Sequence, residues 1–130
     1  MASSNDVVMT ASLEDYLEAV FVLKQQKKSV RMTDIAEFLA VSKPSVNRAI
    51  GTLKDAGLLK HETYGEITLT SAGKARAKDV LSRHHLLKVF LTDTLGVETE
   101  IAEKDACRME HVMSKESIEK LSDFLKALNK

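Results

Sequence analysis

Between Gly57 and Ser71 the apolar pattern of the chain changes period twice, and this double change limits the folds open to it. Before Gly57 the spacing is helical. Leu13, Tyr16, Leu17, Val20, Phe21 and Leu23 recur every three or four residues from Ser12 to about Lys27. Ser12 is placed to cap that helix, with Asp15 at its third position. Val30-Arg31-Met32 reads as a short extended segment. Thr33 is then expected to cap a second helix, Asp34–Leu39, with Ile35, Phe38 and Leu39 turned inward. Ala40-Val41 form a tight turn. Ser42 caps a third helix with Pro44 in its first turn, where a missing N–H costs nothing. Val46, Ile50 and Leu53 make its apolar stripe and Gly57 its stop. The period then falls to two. Leu58–Glu62 and Glu66–Thr70 are short strands around Thr63-Tyr64-Gly65, with glycine where a hairpin wants it. Three helices followed by a hairpin is the order of a winged helix-turn-helix.

Helical spacing returns at Thr70 or Ser71 and runs to Leu95, ended by Gly96. Leu81, Leu86, Leu87, Phe90 and Leu91 give this stretch a broad apolar face. Ile101–Met113 reads as another short helix, and Ser114-x-x-Ser117 opens a last one through Leu125. The expected fold class is therefore mainly α: a winged helix-turn-helix of three helices and a small β-hairpin, followed by an all-helical dimerisation domain. The expected divisions are a flexible tail over 1–10, a DNA-binding domain over 11–72, and a dimerisation and metal-binding domain over 73–130. The last part is short for a domain, and its wide apolar faces point to pairing with a second copy.

The densest chemistry lies in Cys107-x-x-Glu110-His111, together with Asp15-x-x-Glu18 and His84. Residues three and four apart share one face of a helix, so Cys107, Glu110 and His111 are expected to converge, and Asp15 and Glu18 likewise. Taken singly, each has an ordinary explanation. Asp15 suits Ser12 as a capping partner, Cys107 packs as a small hydrophobe, and Glu110 beside His111 is a common exposed pair. Jointly, a thiolate, three carboxylates and two imidazoles suit a divalent transition metal, and the thiolate argues against Mg or Ca. A thiol enzyme built on Cys107 and His111 lacks an orienting Asn or Asp and an oxyanion-hole glycine motif. A lone Cys also excludes a Cys-rich structural zinc site and fits a reducing cytoplasm.

Lys+Arg and Asp+Glu balance at 19 each in the 130 residues, so any attraction to a polyanion must be local. It is local at Ser42-Lys43-Pro44-Ser45-Val46-Asn47-Arg48. From Ser42 to Lys54 there are three cations and no acid. A helix N-terminus adds partial positive charge and N–H groups aimed at phosphate. Ser42, Lys43, Pro44, Ser45, Asn47 and Arg48 are the candidate DNA-contacting residues, with Asn47 and Arg48 the candidates for base or phosphate contacts. The apolar runs are too short to span a bilayer, and no membrane or small organic substrate is expected. The competing reading is a winged-helix regulator answering to a small organic ligand or a partner protein.

From about Ser12 to Leu125 the chain resembles the diphtheria toxin repressor and manganese transport regulator family of metal-dependent transcriptional repressors. The resemblance rests on Leu13-Glu14-Asp15-Tyr16-Leu17-Glu18, on the segment Thr33 to Gly57, on Arg83-His84-His85-Leu86-Leu87, and on Asp105 through Ser114. It implies a homodimer on a near-palindromic double-stranded operator, with metal as co-repressor at Asp15, Glu18, His84, Cys107, Glu110 and His111. The match is a hybrid. Asp15 and Glu18 follow the manganese branch, which has Glu where this chain has Cys107. The iron branch has Cys there but Met in place of Asp15. Lys88 and Glu103 depart from the iron branch's second-site pattern, and Glu103 stands as an additional candidate. The expected form is the two-domain one, without the SH3-like domain of longer members. Thiolate and carboxylates together favour Fe(II), with Mn(II) next.

Overall fold

The computed structural model describes residues 11–62 and 65–128; the tail expected over 1–10 and the turn residues Thr63 and Tyr64 lie outside them. The element order is α1 (Ala11–Gln26), α2 (Met32–Leu39), α3 (Lys43–Asp55), β1 (Leu59–His61), β2 (Ile67–Leu69), α4 (Ser71–Val89), α5 (Thr99–Met109) and α6 (Lys115–Leu128), with a π-helical turn, Phe90–Thr94, after α4. Two compact units divide the chain, Met1–Lys78 and Asp79–Lys130, so the boundary falls inside α4.

In the first unit, α1 contributes Tyr16, Leu17, Ala19, Val20 and Leu23 to one core. The same core takes Ile35 from α2, Val46, Ala49, Ile50 and Leu53 from α3, and Leu59 and Ile67 from the hairpin. Each large aliphatic group enclosed in this way contributes roughly 1.5–3 kcal/mol. The strands pair antiparallel with Leu59 opposite Leu69 and His61 opposite Ile67. The Ile67 N–H donates to the Val30 carbonyl at 2.8 Å, so the extended segment expected around Val30 is stitched to the wing.

Helix starts in the first unit differ from expectation at two places. Ser12 is not a cap, because α1 already includes Ala11. Thr33 lies inside α2, which starts at Met32 with Arg31 as its cap residue. The capping bond comes from the other direction: the Arg31 N–H donates to Asp34 Oδ2 at 2.8 Å, while Lys27 Nζ sits 2.7 Å from Asp34 Oδ1. Phe38, expected inward, is 47% exposed. The face of α2 that reaches the core is set by Ile35 and Ala36, and Phe38 falls beside it. Where α2 ends, Ala40 adopts φ 56° as the expected tight turn.

The Lys27 ammonium, by hydrogen bond and charge, holds the Asp34 carboxyl below its ordinary value, helped by the Arg31 backbone N–H. A depressed folded-state pKa stabilises the fold above the unfolded carboxylate's value, and that contribution is lost as pH falls through the folded one. Asp34→Asn is expected to cost about 1 kcal/mol at neutral pH, the scale of a helix cap. In urea titrations the difference from wild type should vanish in acid; a gap that persists there assigns Asp34 a role independent of its charge.

In the second unit Leu87, Leu91, Ala102 and Ala106 are enclosed, with Phe90, Val97, Met109, Met113, Ile118 and Leu121 packed around them. The alanines have no bulk to hold α5 away from Leu87 and Leu91. The long helix loosens before it stops: the Leu95 N–H reaches back five residues to the Phe90 carbonyl at 3.1 Å. Gly96, at φ 73°, then turns the chain out, as its place after Leu95 predicts. The Ser114 hydroxyl accepts the Ser117 N–H at 3.1 Å and caps α6. α5 runs from Thr99 to Met109 rather than from Ile101 to Met113.

Candidate metal centre and nucleic-acid interface

His84 and Lys88 lie one turn apart on α4, and Glu103 and Cys107 one turn apart on α5. Glu110 follows α5 as its C-cap, still in helical conformation at φ −58° and ψ −27°. His111 therefore lies in the turn beyond the helix, not on the face it was expected to share with Cys107. The turn is held from α4: Arg83 Nη1 donates to the Glu110 carbonyl at 3.2 Å and to the Met113 carbonyl at 3.4 Å. A cation at a helix C-terminus also meets the partial negative charge there.

The result is a convergence the spacing alone does not give for His84. One donor atom each from His84, Cys107 and Glu110 lies within 4.8 Å of the others. His84 Nδ1 is 3.5 Å from Glu110 Oε2, and His111 Nε2 is 3.5 Å from Glu110 Oε1. Glu110 is fully buried, whereas Cys107 is exposed. The other ring nitrogen of His84, Nε2, stands 2.8 Å from Glu103 Oε1, and Lys88 Nζ is 3.1 Å from Glu103 Oε2. Partial burial pushes the Glu103 carboxyl up, but the Lys88 hydrogen bond and the His84 contact outweigh it and hold the carboxyl below its ordinary value.

These residues fit a divalent transition metal. His84 Nδ1 faces a carboxylate oxygen of Glu110 and is buried without a hydrogen-bond partner among the described residues. Two electron-rich atoms facing one another, with a thiol beside them, suit a shared cation. Asp15 and Glu18 lie half-buried and three residues apart on α1 of the first unit, as their spacing predicts. The contribution the sequence signal missed is that of Lys88 and Arg83. Neither is of ligand type, and each acts across helices far apart in sequence.

On α3, Lys43, Pro44, Asn47 and Arg48 are exposed while Val46, Ala49, Ile50 and Leu53 are enclosed. The first two turns thus present Lys43, Asn47 and Arg48 outward. Ser42 and Ser45 serve the helix itself: the Ser45 N–H donates to Ser42 Oγ at 3.3 Å, and the two hydroxyls are 2.9 Å apart.

A winged helix-turn-helix followed by a helical unit that gathers His, Cys and Glu donor atoms is the arrangement of a metal-responsive DNA-binding regulator. The model for the iron dependent repressor N-terminal DNA binding domain matches residues 8–67, and that for the iron dependent repressor metal binding and dimerisation domain matches residues 70–130. The chain belongs to the iron dependent repressor family, whose members are metal-dependent, DNA-binding transcriptional repressors. It is 38% identical over 116 residues to the HTH-type transcriptional regulator MntR of Bacillus subtilis, covering 89% of this chain and 81% of that one. An HTH-type transcriptional regulator of Methanocaldococcus jannaschii is 34% identical over 118 residues, 90% of this chain and 94% of that one. The structure of the manganese regulator SloR overlays with a TM-score of 0.80 at 29% identity, covering 91% of this chain and 55% of that one. Among the described residues no helix is long and apolar enough to cross a membrane.

Proposed function

We propose that the chain is a cytoplasmic, non-enzymatic homodimeric repressor of metal-uptake or metal-homeostasis genes, and that it binds a near-palindromic operator when a divalent metal is bound. The observation that carries the reading is the meeting of His84, Cys107 and Glu110 within 4.8 Å. His111 joins them, and Asp15 and Glu18 are assigned as the donors from the winged unit on residue type and helical spacing. When bound, the cation supplies the positive charge that lets three carboxylates share one site. Without it those carboxylates repel one another, and the winged unit is free to sample states that do not fit DNA. Moving such an equilibrium from 1:99 to 99:1 takes about 5.5 kcal/mol of differential binding. By reciprocity, operator DNA tightens metal binding by the same factor.

Cys107 favours Fe(II), Co(II) or Zn(II), while the carboxylates favour Mn(II) or Fe(II). Fe(II) meets both preferences and is proposed first. Support for Mn(II) comes from the manganese regulator SloR as a structural relative. An organic effector has less to recommend it. The apolar groove lined by Val20, Phe21 and Leu69 holds about 240 Å³, and the larger clefts of about 410 and 440 Å³ are open to solvent and lined in part by charged side chains, unlike the enclosed apolar pockets usual for such ligands.

A gel-shift series with Fe(II), Mn(II), Zn(II) and chelator tests the reading. Operator binding should require metal, and chelator-indifferent binding overturns it. In the same series Arg48→Ala should weaken the metal-loaded complex by about 1–3 kcal/mol, or lower the salt slope by about one if its contact is a phosphate. Unchanged affinity and slope would remove Arg48 from the DNA face.

A further inference from the structure

We infer that Glu103, steadied by Lys88, is a positioning residue that fixes the His84 ring with its proton on Nε2 and so reserves Nδ1 for the metal. The inference rests on the reading of His84 as a metal ligand, and it goes beyond that reading by assigning the donor atom and the residue that selects it. An imidazole has two nitrogens, and the partner of one decides which of them carries the proton. Here Nε2 meets Glu103 Oε1 at 2.8 Å. Nδ1 meets no hydrogen-bond partner among the described residues and faces Glu110 Oε2 at 3.5 Å.

The arrangement follows from α4 and α5 meeting at these residues. His84 and Lys88 are one turn apart on α4, and Glu103 and Cys107 are one turn apart on α5. Glu103 therefore stands between the two α4 side chains, one oxygen on each: Oε1 on His84 and Oε2 on Lys88 at 3.1 Å. An exposed carboxylate alone rotates freely, and a single surface pair does little to hold it. A carboxylate gripped at both oxygens has one orientation, and that orientation is the one that accepts Nε2–H. A carboxylate behind a ligating histidine fixes its tautomer and raises its basicity toward the metal, and losing such a partner typically costs ~10–100-fold in metal affinity. Glu103 is half exposed and lies outside both cores, so replacing it should leave the fold intact.

The test uses the full chain and Zn(II), which is diamagnetic and suits thiolate and imidazole donors. Zn(II) affinity is measured by competition with a chromophoric chelator for wild type, His84→Ala, Glu103→Ala and Glu103→Gln. The His84 ring nitrogens are followed by ¹⁵N NMR of the Zn(II)-loaded protein. Wild type should carry its ring proton on Nε2. Glu103→Ala should lose about 10–100-fold in affinity. Glu103→Gln, whose amide oxygen can still accept Nε2–H, should recover part of that loss. A His84→Ala protein that binds Zn(II) like wild type overturns the metal reading itself. If His84→Ala loses affinity but Glu103→Ala stays within about twofold of wild type, or the proton sits on Nδ1, the Glu103 assignment alone is overturned.

Discussion

Glu110→Gln is expected to abolish metal-dependent operator binding while leaving the metal-free protein folded. The change keeps the shape of a fully buried side chain and removes the charge that faces His84 Nδ1 at 3.5 Å and His111 Nε2 at 3.5 Å. An amide oxygen is a weaker donor to a cation than a carboxylate. Affinity should therefore fall beyond the ~10–100-fold that loss of an outer partner costs. Thermal denaturation separates folding from binding. Metal should raise the Tm of wild type, because a ligand that binds only the native state stabilises it by mass action. The variant should melt at the same temperature with or without metal. A variant that keeps both metal-dependent stabilisation and metal-dependent gel shifts would take Glu110 out of the site.

Gly73→Ala should destabilise the winged unit by about 3 kcal/mol or more, the upper end of what overpacking costs. Helix propensity alone forecasts the reverse, since alanine is better than glycine inside a helix by about 1 kcal/mol. The difference is tertiary. A Cβ on Gly73 would stand 2.0 Å from the Leu58 carbonyl oxygen and 3.0 Å from its carbon. That carbonyl cannot swing aside, because it accepts the Thr70 N–H at 3.1 Å. Thr70 is held in turn, donating its hydroxyl to the Gly57 carbonyl at 2.7 Å and accepting the Gly73 N–H at 3.0 Å. Gly51 is the internal control. It also lies in a helix but has open space around its Cβ position, so Gly51→Ala should stabilise by up to about 1 kcal/mol. Urea denaturation of both variants in metal-free buffer decides the matter. If both gain stability, the close approach of α4 to Leu58 is wrong.

The two glycines show where local pattern stops. In sequence they are equivalent, each a weak point in a helical run, and only the approach of a strand-side carbonyl separates them. The winged helix itself was legible because its signals are local: Ser42 before Pro44, the stripe Val46, Ile50 and Leu53, Gly57, and the two short runs around Gly65. Misplaced helix starts came from the same locality. Thr33 is a good capping residue, but Asp34 takes the Arg31 N–H at 2.8 Å and begins the helix one residue before Thr33. Phe38 looked like core because it is apolar, yet an eight-residue helix presents one narrow face, and Ile35 and Ala36 occupy it.

Residue types at helical spacing were enough to propose Asp15 with Glu18, and Cys107 with Glu110 and His111, as candidate donors, since metal chemistry selects a few side chains and a helix groups them every three or four positions; His84 entered on residue type and resemblance. Sequence could not decide how α4 and α5 lie against each other, and the placement of His84, Cys107 and Glu110 depends on that. Two fully buried alanines, Ala102 and Ala106, let α5 settle onto Leu87 and Leu91 at and just beyond the end of α4. This puts His84 beside Cys107 and Glu110 and lays Glu103 across His84 and Lys88. It also brings Arg83 to the carbonyls of the turn that carries Glu110. Those contacts span 15 or more residues of chain, a separation at which no periodicity carries information. The candidate donors were readable in the sequence as residue types; which atoms of His84 and Glu110 face one another was decided by packing.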